Sequence, residues 1–125
     1  MGITKADAVR AYAKMMNNLD ASFIEPYLAD DFSYESQWVF AEITSKQEYL
    51  DYIQPKLATI AKSGSRAFAE VALWADEPCV VMAQGSKDNL VATVLVKVSG
   101  ECISRIDMCA VPMPQETRRT GEYPQ

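Results

Sequence analysis

The chain predicts an α+β fold: a cone-shaped, curved antiparallel β-sheet with three N-terminal-half helices packed on its concave face. Three observations carry this. Apolar residues recur at helical spacing through the first sixty positions or so, and from Ser65 onward the period changes to that of strands. Between Tyr12 and Ser36 the order is amphipathic helix, turn, short helix, strand (YAKMMNNLDASFIEPYLADDFSYES).

Thr4 followed by Asp7 suits the start of a first helix, whose buried stripe is Val9, Tyr12, Ala13, Met16 and Leu19. Asn17 to Asp20 interrupts the stripe, and Asp20 is placed to cap a short second helix carrying Phe23, Ile24, Tyr27 and Leu28, kept short by Pro26. The aromatic, alternating run from Phe32 to Phe40 reads as one strand or a bent pair. Ser45 and Glu48 form a capping box for a third helix with Tyr49, Leu50, Ile53, Leu57 and Ile60 inward, ending at Gly64 and bent at Pro55. Four strands then follow, 66–75, 79–84, 90–98 and 102–111, joined by short polar turns as an antiparallel meander. The expected organisation is one domain over 1–111 and a polar, mobile C-terminal tail over 112–125.

Composition excludes several classes. The net charge of −5 argues against a nucleic-acid or anionic-membrane surface. There is no apolar run of the roughly 20 residues that span a bilayer and no secretory leader, so a cytoplasmic location is expected. Histidine is absent, which removes Ser-His and Cys-His nucleophiles and the commonest transition-metal ligand. Neither a P-loop nor a GxGxxG motif occurs, and no metal or cofactor is expected. Cys79, Cys102 and Cys109 lie in strand-like runs without CxxC spacing and read as free thiols.

The segment NNLDASFIEPYLADDFSYES, the capping-box helix, the four terminal strands and the Gly100-Glu101-Cys102-Ile103 strand entry resemble the nuclear transport factor 2-like superfamily of cystatin-like fold. That superfamily includes ketosteroid isomerases and SnoaL-like polyketide cyclases, and the likeness covers residues 4 to about 111. It implies a small-molecule pocket at the open end of the cone. Carried over by position, Tyr12 matches a pocket tyrosine, Ser36 stands where isomerases keep an aspartate base, and Leu95 where they keep a protonated aspartate. Two of three chemical groups are therefore missing, which argues against true ketosteroid isomerase activity.

Asp107 is the leading catalytic candidate, because it is a carboxylate inside the apolar strand Ile103–Ala110. Strict alternation puts Ile103, Arg105, Asp107 and Cys109 on one face, which the resemblance turns toward the pocket. Two readings stay open: a general acid or base supported by Tyr12 or Tyr34 as donor, or a structural ion pair with Arg105. Ser36, Trp38, Leu95, Arg105, Cys109 and Met16 are the further pocket candidates. Met15, Met16, Met82 and Met108 fit an adaptable pocket or simple core filling.

Apolar residues on both faces of the later strands predict a homodimer through the β-sheet. The function expected is binding of a small apolar or cyclic organic molecule, with or without cofactor-free acid/base chemistry of isomerase, cyclase or hydratase type. The alternative is a non-catalytic dimerisation or interaction domain with a vestigial pocket.

Overall fold

The computed structural model describes residues 3–37 and 42–125. Helix α1 spans Lys5–Asn18; Thr4 Oγ1 accepts the Asp7 N–H at 3.1 Å, and Leu19, at φ 53°, turns the chain out of the helix. The expected second helix is present as two 3-10 turns, Ala21–Phe23 and Glu25–Tyr27. Asp20 caps the first by accepting the Ser22 N–H at 2.9 Å, and Pro26 sits at the start of the second, where a missing N–H does no harm. Strand β1 follows directly as Leu28–Ser36, and helix α2 runs Lys46–Ser63 from a Ser45 cap to Gly64 at φ 73°. Pro55 lies inside α2 without ending it.

Strands β2 (Ala67–Trp74), β3 (Glu77–Gln84), β4 (Leu90–Ser99) and β5 (Cys102–Cys109) form the expected antiparallel meander. Ala75 and Asp76, at φ 51° and 64°, make the two-residue β2–β3 turn, whose left-handed residues match the twist of a hairpin. Strand β1 joins β5 in parallel, with Tyr34 beside Ile106 and Ser36 beside Met108. The curved sheet is not closed, and its order is β1-β5-β4-β3-β2-β6.

The sixth strand corrects the expectation of a mobile tail. Arg118–Glu122 forms β6, antiparallel to β2 at the far edge of the sheet. Its attachment is polar: Arg10 of α1 binds Glu122 at 2.7 Å, and the Asn17 amide donates to the carbonyls of Ala69 and Pro124. A hydrophobicity pattern does not register such a strand, because its anchors are charges and backbone groups.

One face of the sheet carries the main core against α1 and α2, with Tyr12, Met15, Phe32, Tyr49, Ile103 and Ile106 fully buried. The opposite face holds a small second cluster, Ala72, Cys79 and Val81, flanked by Leu90 and Leu95. The chain's own C-terminal segment returns along this face: Pro112 and Pro114 are buried, the 3-10 turn Pro114–Glu116 packs on β4, and Arg119 closes over Glu70. Among the described residues, no helix is long and apolar enough to cross a membrane.

Candidate functional site

Between α2 and the sheet lies a cavity of about 350 Å³. Helix α1 sends in Tyr12 and Met16, one turn apart, and β1 contributes Tyr34. Met82, Ala92 and Met108, on β3, β4 and β5, form the sheet wall. Helix α2 supplies Ile53, Lys56, Ile60 and Ser63, which share one face because their spacing is three to four residues. Arg66 and Ala67, just after the helix, complete the mouth.

The inner end is aromatic. Tyr34 packs on Tyr49 and Tyr52 at centroid distances of 5.2 and 5.5 Å, and Phe32 meets Tyr49 edge-on at 4.9 Å. Burial, reinforced by the neighbouring phenols, pushes the Tyr12 and Tyr49 hydroxyls well above the ordinary value of 10.0. Tyr34 is raised too, by burial first and then by Tyr52, while its hydrogen bond with Ser36 opposes the rise. Tyr12 and Tyr34 therefore enter the cavity as neutral phenols that can donate a hydrogen bond but do not act as bases near neutral pH. Among the described residues, Lys56 and Arg66 are the charged residues on the cavity's lining, with the Arg66 guanidinium 5.2 Å from the Phe68 ring centroid, and no carboxylate lines it.

Of the pocket residues expected from sequence, the structure brings together Tyr12, Met16 and Tyr34, and it buries Ser36 beside Tyr34. The placement of Asp107 is corrected. A register shift between Lys97 and Val98 sets two residues of β5, Arg105 and Ile103, against consecutive residues of β4. The irregularity lets Ile103 and Ile106 both face the helices, so the alternation restarts out of phase. Met108 faces the cavity, and Arg105, Asp107 and Cys109 lie on the other side of the sheet.

There Arg105 Nε donates to both Asp107 carboxylate oxygens at 3.0 Å, and the rest of the guanidinium reaches Glu42 at 2.7 Å, Glu35 at 2.6 Å and Ser33 at 3.1 Å. This is the ion-pair arrangement, and it raises the Arg105 pKa through Asp107 and then Glu42. Cys109 is held as a thiol by burial and by the nearby Asp107 charge, with Sγ donating to the Thr93 carbonyl at 3.5 Å. Leu95 also leaves the pocket; it lines a separate hollow of about 140 Å³ with Trp74, Cys79 and Lys97. Trp38 lies outside the described residues.

Sequence reasoning missed Ile53, Lys56, Ile60 and Arg66 as pocket residues. The signal was the helical spacing of the first three, which reads equally as core and solvent face. A second groove, of about 460 Å³, runs outside α1 between Arg10, Lys14, Phe23 and Glu101. It is an open, mixed-charge surface in which Arg10 is engaged by Glu122 and Lys14 lies over the Phe23 ring.

No protein-family model matches this chain, and no curated protein matches it. Solved structures do. A nuclear transport factor 2-like protein of unknown function from Cytophaga hutchinsonii superposes with a TM-score of 0.60 at 11% identity, over 90% of this chain and 96% of the other. A putative polyketide cyclase from Sinorhizobium meliloti gives 0.58 at 17% identity, over 82% and 94%. An uncharacterised cystatin-fold protein from Novosphingobium aromaticivorans gives 0.58 at 15%, over 86% and 99%. At such identities likeness speaks for architecture alone. The helices on a curved, open sheet and these superpositions together give the chain the nuclear transport factor 2-like, cystatin-like fold.

Proposed function

We propose that this chain binds a small apolar or cyclic organic molecule in the cavity between α2 and the sheet. The carrying observation is the cavity itself: about 350 Å³, walled by Met16, Ile53, Met82, Ala92 and Met108, with the Tyr12 and Tyr34 phenols at its inner end. Apolar walls with a few convergent donors suit a ring system bearing an oxygen. Binding is favoured over acid/base turnover, because the cavity offers donors and no carboxylate base among its described lining. Any chemistry performed there would use Tyr12 and Tyr34 to stabilise a developing oxyanion.

The second reading, a homodimer through the outer sheet face, is favoured by the exposure of Trp74, Val111 and Met113 at 40%, 72% and 49%. Native mass spectrometry of gently purified protein tests both. Retained organic mass on the wild type, lost from an Ile60→Trp variant that plugs the mouth, is the expected outcome. A bare wild type that also takes up no added aromatic ring compound would sink the ligand reading. A monomer at micromolar concentration would remove the dimer.

A further inference from the structure

We infer that the ligand is a flat aromatic ring system, held in the cavity by the thioethers of Met16, Met82 and Met108. This rests on the ligand-binding reading above and names the class of ligand. The chain has six methionines, and these three, from α1, β3 and β5, line one cavity of about 350 Å³. The direction of each is fixed by its neighbours. Met16 belongs to the main core one turn beyond Tyr12, Met82 stands opposite Ala69 and Ala92 on the flanking strands, and Met108 stands opposite Val94. Because Ala69, Ala92 and Val94 are core residues and paired residues share a face, all three thioethers lie on the helix side of the sheet.

Core filling accounts for Met15, which is fully buried and lies off the cavity, but these three border open volume. Ala92, the cross-strand partner of Met82, presents only a methyl group and so keeps space open beside that thioether. Sulfur is polarisable and gains more from contact with an aromatic ring than from contact with a saturated one. The phenol rings of Tyr12 and Tyr34 add walls that a second ring meets edge-on or offset, and Tyr34 is itself held by Tyr49 and Tyr52 at 5.2 and 5.5 Å. A saturated ring of the same carbon skeleton would bury as much apolar surface and gain neither of these contacts. The volume lies near the lower end of the roughly 300–1,000 Å³ usual for small-molecule sites, so the ring system is compact.

Isothermal titration of the full chain with 2-(2-naphthyl)ethanol and its decahydro analogue tests this, since two methylenes insulate the hydroxyl and leave it alike in both probes. The expected result is binding of the aromatic probe about tenfold tighter than the saturated one. The full chain with norleucine in place of methionine, which exchanges sulfur for a methylene at nearly constant shape, should lose most of that preference and keep its binding of the saturated probe. A Met16→Leu/Met82→Leu/Met108→Leu variant repeats the comparison with a volume-conserving side chain, so that one misfolded protein does not decide the matter. Equal binding of the two probes by the wild type, or tighter binding of the saturated one, would overturn the aromatic-ligand proposal while leaving the pocket reading standing. An aromatic preference that persists undiminished without the sulfurs would overturn the role of the thioethers. Failure of both probes to bind would overturn the proposal and the pocket reading together.

Discussion

Thr93 sits fully buried on β4, and its Oγ1 has no hydrogen-bond partner among the described residues. A hydroxyl taken out of water without a partner costs more than an apolar group of the same shape. Thr93→Val should therefore stabilise the fold by about 1 kcal/mol, measured by urea denaturation. A loss of stability would show that the hydroxyl has a partner. At this scale helical spacing and strand alternation made the inward direction of Tyr12, Met16 and Tyr34 readable, while the place of Tyr12 in a pocket came from the family resemblance. The resemblance turned Asp107 toward the pocket, and the irregularity near Ile103, which leaves no mark in the residue pattern, separates the Asp107 face from that of Ile103.

At the scale of elements, β6 has a further anchor in a buried carboxylate. Glu70, 3% exposed, accepts from Arg119 Nε at 2.7 Å, the Gly121 N–H at 2.8 Å and the Tyr123 hydroxyl at 3.2 Å. Arg119 also reaches the Lys87 carbonyl and Asp88 in the β3–β4 turn, tying the C-terminal strand to the outer face. Arg119→Ala leaves Glu70 buried with its charge uncompensated, and should cost about 3 kcal/mol in chemical denaturation. A double Arg119→Ala/Glu70→Gln variant should recover part of that loss; equal losses in single and double variants would refute the pairing argument. The sequence showed Arg118-Arg119 only as a basic pair in a polar tail, since its carboxylate partner lies 49 residues away.

For the molecule as a whole, the buried phenols and thiols set an alkaline limit. Burial pushes the Cys79 thiol from 9.0 up to about 11, and it raises Tyr12, Tyr34 and Tyr49 above 10.0. Each group keeps its proton to higher pH when folded than when unfolded, so stability is intact below about pH 9 and falls as pH rises through the folded pKa values. Cys79 alone should remove on the order of 2 kcal/mol by pH 11. Denaturant midpoints at neutral pH and across this alkaline range provide the check; a midpoint unchanged to pH 11 would show that these groups ionise freely in the folded chain.

The order of elements, the caps at Thr4, Asp20 and Ser45, the four-strand meander and the polar turns were determined by the sequence alone, because propensity, periodicity and capping act over a few residues. Tertiary structure decided which face of β5 meets the helices, the parallel pairing of β1 with β5, the docking of β6 and the enclosure of a cavity between α2 and the sheet. These outcomes depend on strand register and on pairings between residues far apart in the chain. A shift of one residue reverses the direction of every side chain beyond it, and no local pattern records where that shift occurs.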